Sequence, residues 1–98
     1  MKITKNMRLC PKPNVHARRF DREMVVLDLE GGAYFSLDEV GAAMWEGLGN
    51  GGSLGEVLAG VRARYEVSEL RLWTDAEKLI TQWFDAGLVV AEPEMQTR

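Results

Sequence analysis

The sequence predicts an α+β fold: a small antiparallel sheet of two or three strands, followed by three helices. Three observations predict it. Residues 15–37 alternate in character with a period of two, and apolar residues then recur at helical spacing from 40 to 83. Turn and cap residues stand where the period changes: Gly31-Gly32, Asp38, Ser53 and Gly87. The chain has 98 residues, 46% apolar and 28% charged, which suits one globular domain with a modest core.

The elements follow in order. Residues 1–14 hold Pro11 and Pro13 and little periodicity, so they read as a basic N-terminal arm or an irregular lead-in, with one edge pairing left open. In "VHARRFD" (15–21), Val15, Ala17 and Arg19 alternate against His16, Arg18 and Phe20. "EMVVLDLE" (23–30) is a stronger strand, with Val25, Leu27 and Leu29 on one face and Met24, Val26 and Asp28 on the other. Gly31-Gly32 offers the positive-φ positions of a primed hairpin turn. Ala33–Leu37 then pairs back, with Phe35 and Leu37 sharing the core face of Leu27 and Tyr34 and Ser36 outside.

Asp38 caps the first helix, whose stripe is Val40, Ala43, Met44 and Leu48, and "GNGG" (49–52) ends it. Ser53 and Glu56 form a capping box for the second, with Leu54, Val57, Leu58, Val61 and Tyr65 as its stripe. After a short connection through Val67 and Ser68, the third runs to about Ala86 on Leu72, Ala76, Leu79, Ile80 and Trp83, with Gly87 at C′. "LVV" (88–90) is β-prone, a wing or a tail, and 91–98 form a C-terminal tail. Trp73 and Phe84 flank the third stripe as extra core, or as a groove lip or subunit contact.

Charge and cysteine use narrow the function classes. Net charge is −3, too mild for bulk nucleic-acid binding, although residues 1–19 carry six cations and no acid. The single cysteine, Cys10, permits no intramolecular disulfide, which points to a reducing compartment. No apolar run is long enough for a membrane span or a secretory signal. A cytoplasmic protein is expected.

No catalytic constellation emerges. Cys10 and His16, the sole cysteine and histidine, lie in a Pro-containing stretch with no scaffold to fix an attack geometry. No CxxC, second histidine or dense carboxylate loop suggests a metal. Asp38-Glu39 is explained by helix capping and the helix dipole. Glycines 49, 51 and 52 lack the Lys-Ser/Thr of a phosphate loop. No enzyme activity, cofactor or metal is expected.

Three short helices beside a β element make a winged-helix-like plan, and many such domains bind DNA. Here the third helix sets Arg71, Lys78 and Gln82 against Glu69, Asp75, Glu77 and Asp85, a face that phosphate would repel.

The order and spacing of these residues resemble the PqqD-like family, the precursor-peptide recognition elements of ribosomally synthesised, modified peptides. The pattern rests on Leu27 and Leu29, Gly31-Gly32, Tyr34-Phe35, Leu37-Asp38, Gly41 and Trp45. It continues through Ser53 and Glu56, Tyr65, Asp75 heading a helical stretch, and Gly87-Leu88. It covers residues 15–90.

The resemblance implies a three-stranded antiparallel sheet beside a three-helix winged bundle. It also implies a stand-alone, non-catalytic peptide chaperone. A precursor leader would add as a strand to the edge of the third strand, beside the third helix. The partner enzyme would be a radical-SAM protein, a cyclase or a leader protease, in a lasso-peptide, radical-SAM or PQQ-type pathway. The peptide-binding residues so implied are Gly32, Ala33, Tyr34, Phe35, Ser36 and Leu37, with Asp75, Lys78, Leu79 and Gln82 as the helical wall. Backbone groups on a free edge supply affinity in this mode, and alternate side chains supply specificity. The alternatives are a winged-helix DNA-binding regulator, or a structural subunit that only buttresses an enzyme through Trp73 and Phe84. Short hinges near the sheet leave a domain-swapped homodimer open.

Overall fold

The computed structural model describes residues 2–91, and the strands within them form two sheets. The elements in order are β1 (Leu9–Pro11), β2 (Val15–Phe20), β3 (Glu23–Asp28), β4 (Tyr34–Leu37), α1 (Glu39–Gly49), α2 (Leu54–Arg64), α3 (Glu69–Asp85) and β5 (Val89–Ala91). The larger sheet is antiparallel in the order β2-β3-β4, and β1 pairs antiparallel with β5 in the smaller one.

The expected 1–14 arm packs on the core from residue 3 onward, and the edge pairing left open for it is realised in β1. Leu9 is 1% exposed, and Ile3 and Met7 pack against the core. The carbonyls of Met7 and Lys5 accept from Leu54 N and Gly55 N at 2.8 and 2.9 Å, so this segment satisfies the first N–H groups of α2. The β-prone 88–90 run becomes β5 by pairing with β1, which places Pro11 opposite Val89 on an edge strand. Of the expected 91–98 tail only Ala91 belongs to the described residues.

β3 has the opposite phase from the one expected. Met24 and Val26 are buried, whereas Leu27 and Leu29 are 39% and 59% exposed. Val26 lies opposite Phe35 and Met24 opposite Leu37, so these four share the inner face, and Leu27 pairs with Tyr34 outside. Both faces of β3 carry apolar residues, and Asp28 shares the inner parity with Met24 and Val26. Its carboxylate instead serves the hairpin loop. Asp28 Oδ1 accepts from Glu30 N at 3.1 Å and from Asn14 Nδ2 at 3.4 Å. That Asx turn opens the loop early, so the connection runs from Leu29 to Gly32 and only Gly32 has positive φ, +80°. The expected two-glycine primed turn is absent. A Cβ at Gly31 would come 2.7 Å from Asp28 Oδ2, so a side chain there would push the Asx-turn carboxylate aside.

The helices follow their caps. Asp38 Oδ1 accepts from Gly41 N at 2.8 Å, the Ser53–Glu56 capping box is complete, and Ser68 caps α3. Asp75 therefore lies inside α3 rather than at its head. Gly87 (φ +75°) closes a Schellman motif, with Leu88 N donating to Trp83 O at 2.9 Å and Gly87 N to Phe84 O at 3.0 Å. The core is a single cluster in which Trp45 and Trp83 meet edge to face at 5.2 Å. A bidentate Arg19–Glu46 pair ties β2 to α1.

Candidate functional site

β4 ends the larger sheet, so one side of its backbone is unpaired within the described residues. One hydrogen bond fixes which groups those are. Asp28 N donates to Ala33 O at 2.9 Å, which makes Asp28–Ala33 a hydrogen-bonded pair. Such pairs alternate along an antiparallel ladder, so Phe35 and Leu37 also spend their backbone groups on β3. The N–H and C=O of Tyr34 and Ser36 then point to the free edge. Four residues span about 13 Å at ~3.3 Å each.

Beside this edge lies a cleft of about 870 Å³. Ser36, Leu37 and Asp38 form one wall. α1 supplies Val40, Gly41 and Met44, and the α2–α3 connection supplies Val67. The opposite wall is α3, through Arg71, Leu72, Asp75, Lys78, Leu79 and Gln82. These α3 residues share a wall because 71, 75, 78, 79 and 82 recur at helical spacing. The deep surface is apolar. The rim is mixed: Asp38, Glu66 and Asp75 stand against Arg71 and Lys78, with Arg71 Nε 3.9 Å from Asp75 Oδ2. Among the described residues no polar or charged side chain is buried, and no cluster of three His, Cys, Asp or Glu could hold a metal. An unpaired strand edge beside an apolar floor offers main-chain hydrogen-bonding groups and apolar contact on one surface.

Of the ten residues singled out from the sequence, six line the cleft: Ser36, Leu37, Asp75, Lys78, Leu79 and Gln82. The other four do not. Gly32 and Ala33 precede β4. Tyr34 is on the outer face, 67% exposed, and Phe35 is half-buried against the core. Sequence reasoning missed Asp38, Val40, Gly41, Met44, Glu66, Val67, Ser68, Arg71 and Leu72. Arg71 was within reach, being one turn before Asp75. Val67 was not, because nothing periodic places a loop residue. Trp73 and Phe84 lie on the opposite flank of α3 and pack against the core, in line with the extra-core reading. Among the described residues no helix is long and apolar enough to cross a membrane.

Comparison with known proteins points one way. A family model described as "Coenzyme PQQ synthesis protein D (PqqD)" matches residues 23–89, from the start of β3 to β5. No curated protein matches the chain. A solved structure described as "TbiB1 in Complex with the TbiA(beta) Leader Peptide" is similar over 91% of this chain and 99% of that one, at 26% identity and a TM-score of 0.74. Neither match points to a nucleic-acid binder.

Proposed function

The chain belongs to the PqqD family, and from that premise we propose that it binds the leader of a ribosomally made precursor peptide and presents it to a modifying enzyme. The leader adds as a strand to the free edge of β4 and rests against α3. The carrying observation is the coincidence of an unpaired edge and an apolar-floored cleft on the same side of the molecule. The likeness to TbiB1, solved with a leader peptide, supports the ligand class. The binding residues are then the backbone groups of Tyr34 and Ser36, with Leu37, Asp75, Lys78, Leu79 and Gln82 around the ligand's side chains. The chain supplies no chemistry in this reading; a radical-SAM protein, a cyclase or a leader protease does.

Strand addition suits this ligand. Main-chain hydrogen bonds give sequence-tolerant affinity, so one small domain can hold an otherwise disordered leader. The mixed rim tunes preference without demanding one net charge.

The test is a titration of isotope-labelled protein with leader-region peptides, beginning with the TbiA(beta) leader. Amide signals of residues 32–37 and 71–82 are expected to shift together. Saturable binding that leaves both sets still would overturn strand addition at β4.

A further inference from the structure

We infer that Gly41 is a specificity-determining residue, setting the depth of a subsite that receives one large apolar side chain of the bound peptide. The inference rests on strand addition to β4. A peptide paired with Tyr34 and Ser36 projects the side chains opposite those residues onto the outer sheet face. The side chains opposite Phe35 and Leu37 then face α3. The one opposite Leu37 enters the cleft where Leu37 and Asp38, Gly41 of α1 and Leu79 of α3 converge.

Gly41 is buried yet lines that cleft. Its backbone does not require glycine: it lies within α1 and is not among the positive-φ residues. Alanine is the better helix former, so the missing methyl has to be explained by space. A Cβ at position 41 would stand 3.4 Å from Leu37 Cβ and 3.7 Å from Leu79 Cδ1, bridging the strand wall and the helix wall. It would also come 3.3 Å from Asp38 Oδ1, so the carboxylate that caps α1 would have to give by a few tenths of an ångström. The methyl would therefore press on the helix cap and narrow the throat of the cleft between its two walls. The peptide class that matches is an extended segment with apolar side chains at alternate positions, one of them Leu-sized or larger.

A phage-displayed library of random dodecapeptides, selected in parallel on the wild type, Gly41→Ala and Leu79→Ala, tests this. Wild-type binders are expected to alternate apolar residues, with one position favouring Leu or Phe over Ala by about tenfold. Gly41→Ala is expected to erase that preference and favour smaller residues. Leu79→Ala, which widens the same throat, is expected to move it towards larger ones, and it carries the test if Gly41→Ala does not fold. Variants that bind peptide with the wild-type size profile would overturn the inference while leaving the leader-binding reading intact. If the wild type enriches no peptide, or only peptides that leave the amide signals of residues 34–37 unshifted, strand addition itself fails and the inference fails with it.

Discussion

Asp38 ends β4 and starts α1 with a single carboxylate, which accepts from Gly41 N at 2.8 Å. Asp38→Ala leaves that N–H without its cap and should cost about 1 kcal/mol, read as a lower urea midpoint at unchanged slope. Glu56 shows a cap that titrates. The Ser53 backbone N–H donates to its Oε1 at 2.9 Å, and with the Ser53 side chain this holds the carboxyl below the usual glutamate range. A carboxyl depressed in the folded state adds stability above its unfolded value, about 4.3, and loses it as pH falls through the lower folded value. Stability of the wild type should therefore fall on acidification below about pH 4.3 more steeply than that of Glu56→Gln; matching urea midpoints across that range would refute the coupling. Both caps were legible in the sequence because capping is local, a polar side chain bonding an N–H three residues on. The role of Asp28 was not. Its Asx turn competes with the Gly31-Gly32 turn signal, and the nearer hydrogen bond won.

At the scale of elements, β4 has two chemically different sides, and proline separates them. Phe35 faces β3 with its N–H, so Phe35→Pro removes a ladder bond from a three-stranded sheet and should unfold or severely destabilise the chain. Ser36 turns its N–H to the free edge, where proline costs the β3–β4 ladder nothing. Ser36→Pro should keep the far-UV spectrum and most of the stability yet lose leader binding at least tenfold, measured by titration calorimetry. If Ser36→Pro binds as the wild type does, the docking edge lies elsewhere. This distinction needed the register. From the sequence β4 was an apparent strand, but the phase of the β3–β4 pair was set on Leu27 and came out reversed, because Met24 and Val26 on one face match Val25 and Leu27 on the other. Burial against α1 selects the first pair, and burial is a property of the assembled molecule. The helix stripes carried no such ambiguity: Leu72, Ala76, Ile80 and Trp83 face the core as their spacing requires, and that fixed Asp75, Lys78 and Gln82 on a shared flank.

The whole molecule is closed by its two ends. β1 and β5 pair across nearly the full length of the chain, Lys12 N donates to Leu88 O at 3.0 Å, and the segment before β1 lies over the start of α2. Gly55 allows that approach, since a Cβ there would sit 2.8 Å from Lys5 Cβ. Residues 1–14 suggested at most one edge pairing, with neither its partner nor this packing visible. A three-residue strand containing proline has no period to read, and its partner lies some eighty residues away. The cost of losing it follows from what it covers. Leu9 is fully buried, and Leu9→Ala should cost about 2–5 kcal/mol through lost transfer energy and a cavity. Deleting residues 1–11 removes that side chain, leaves β5 without a partner strand and uncovers the N–H groups of Leu54 and Gly55. Against a total stability of about 5–15 kcal/mol, the truncated chain should be largely unfolded at 25 °C by circular dichroism, and Leu9→Ala folded but weakened. A truncated chain with the wild-type urea midpoint would show that residues 1–11 are the detachable arm that their composition suggests. The expected loss means instead that the core carrying β4, α1 and α3 depends on β1 and β5, strands that contribute no residue to the cleft.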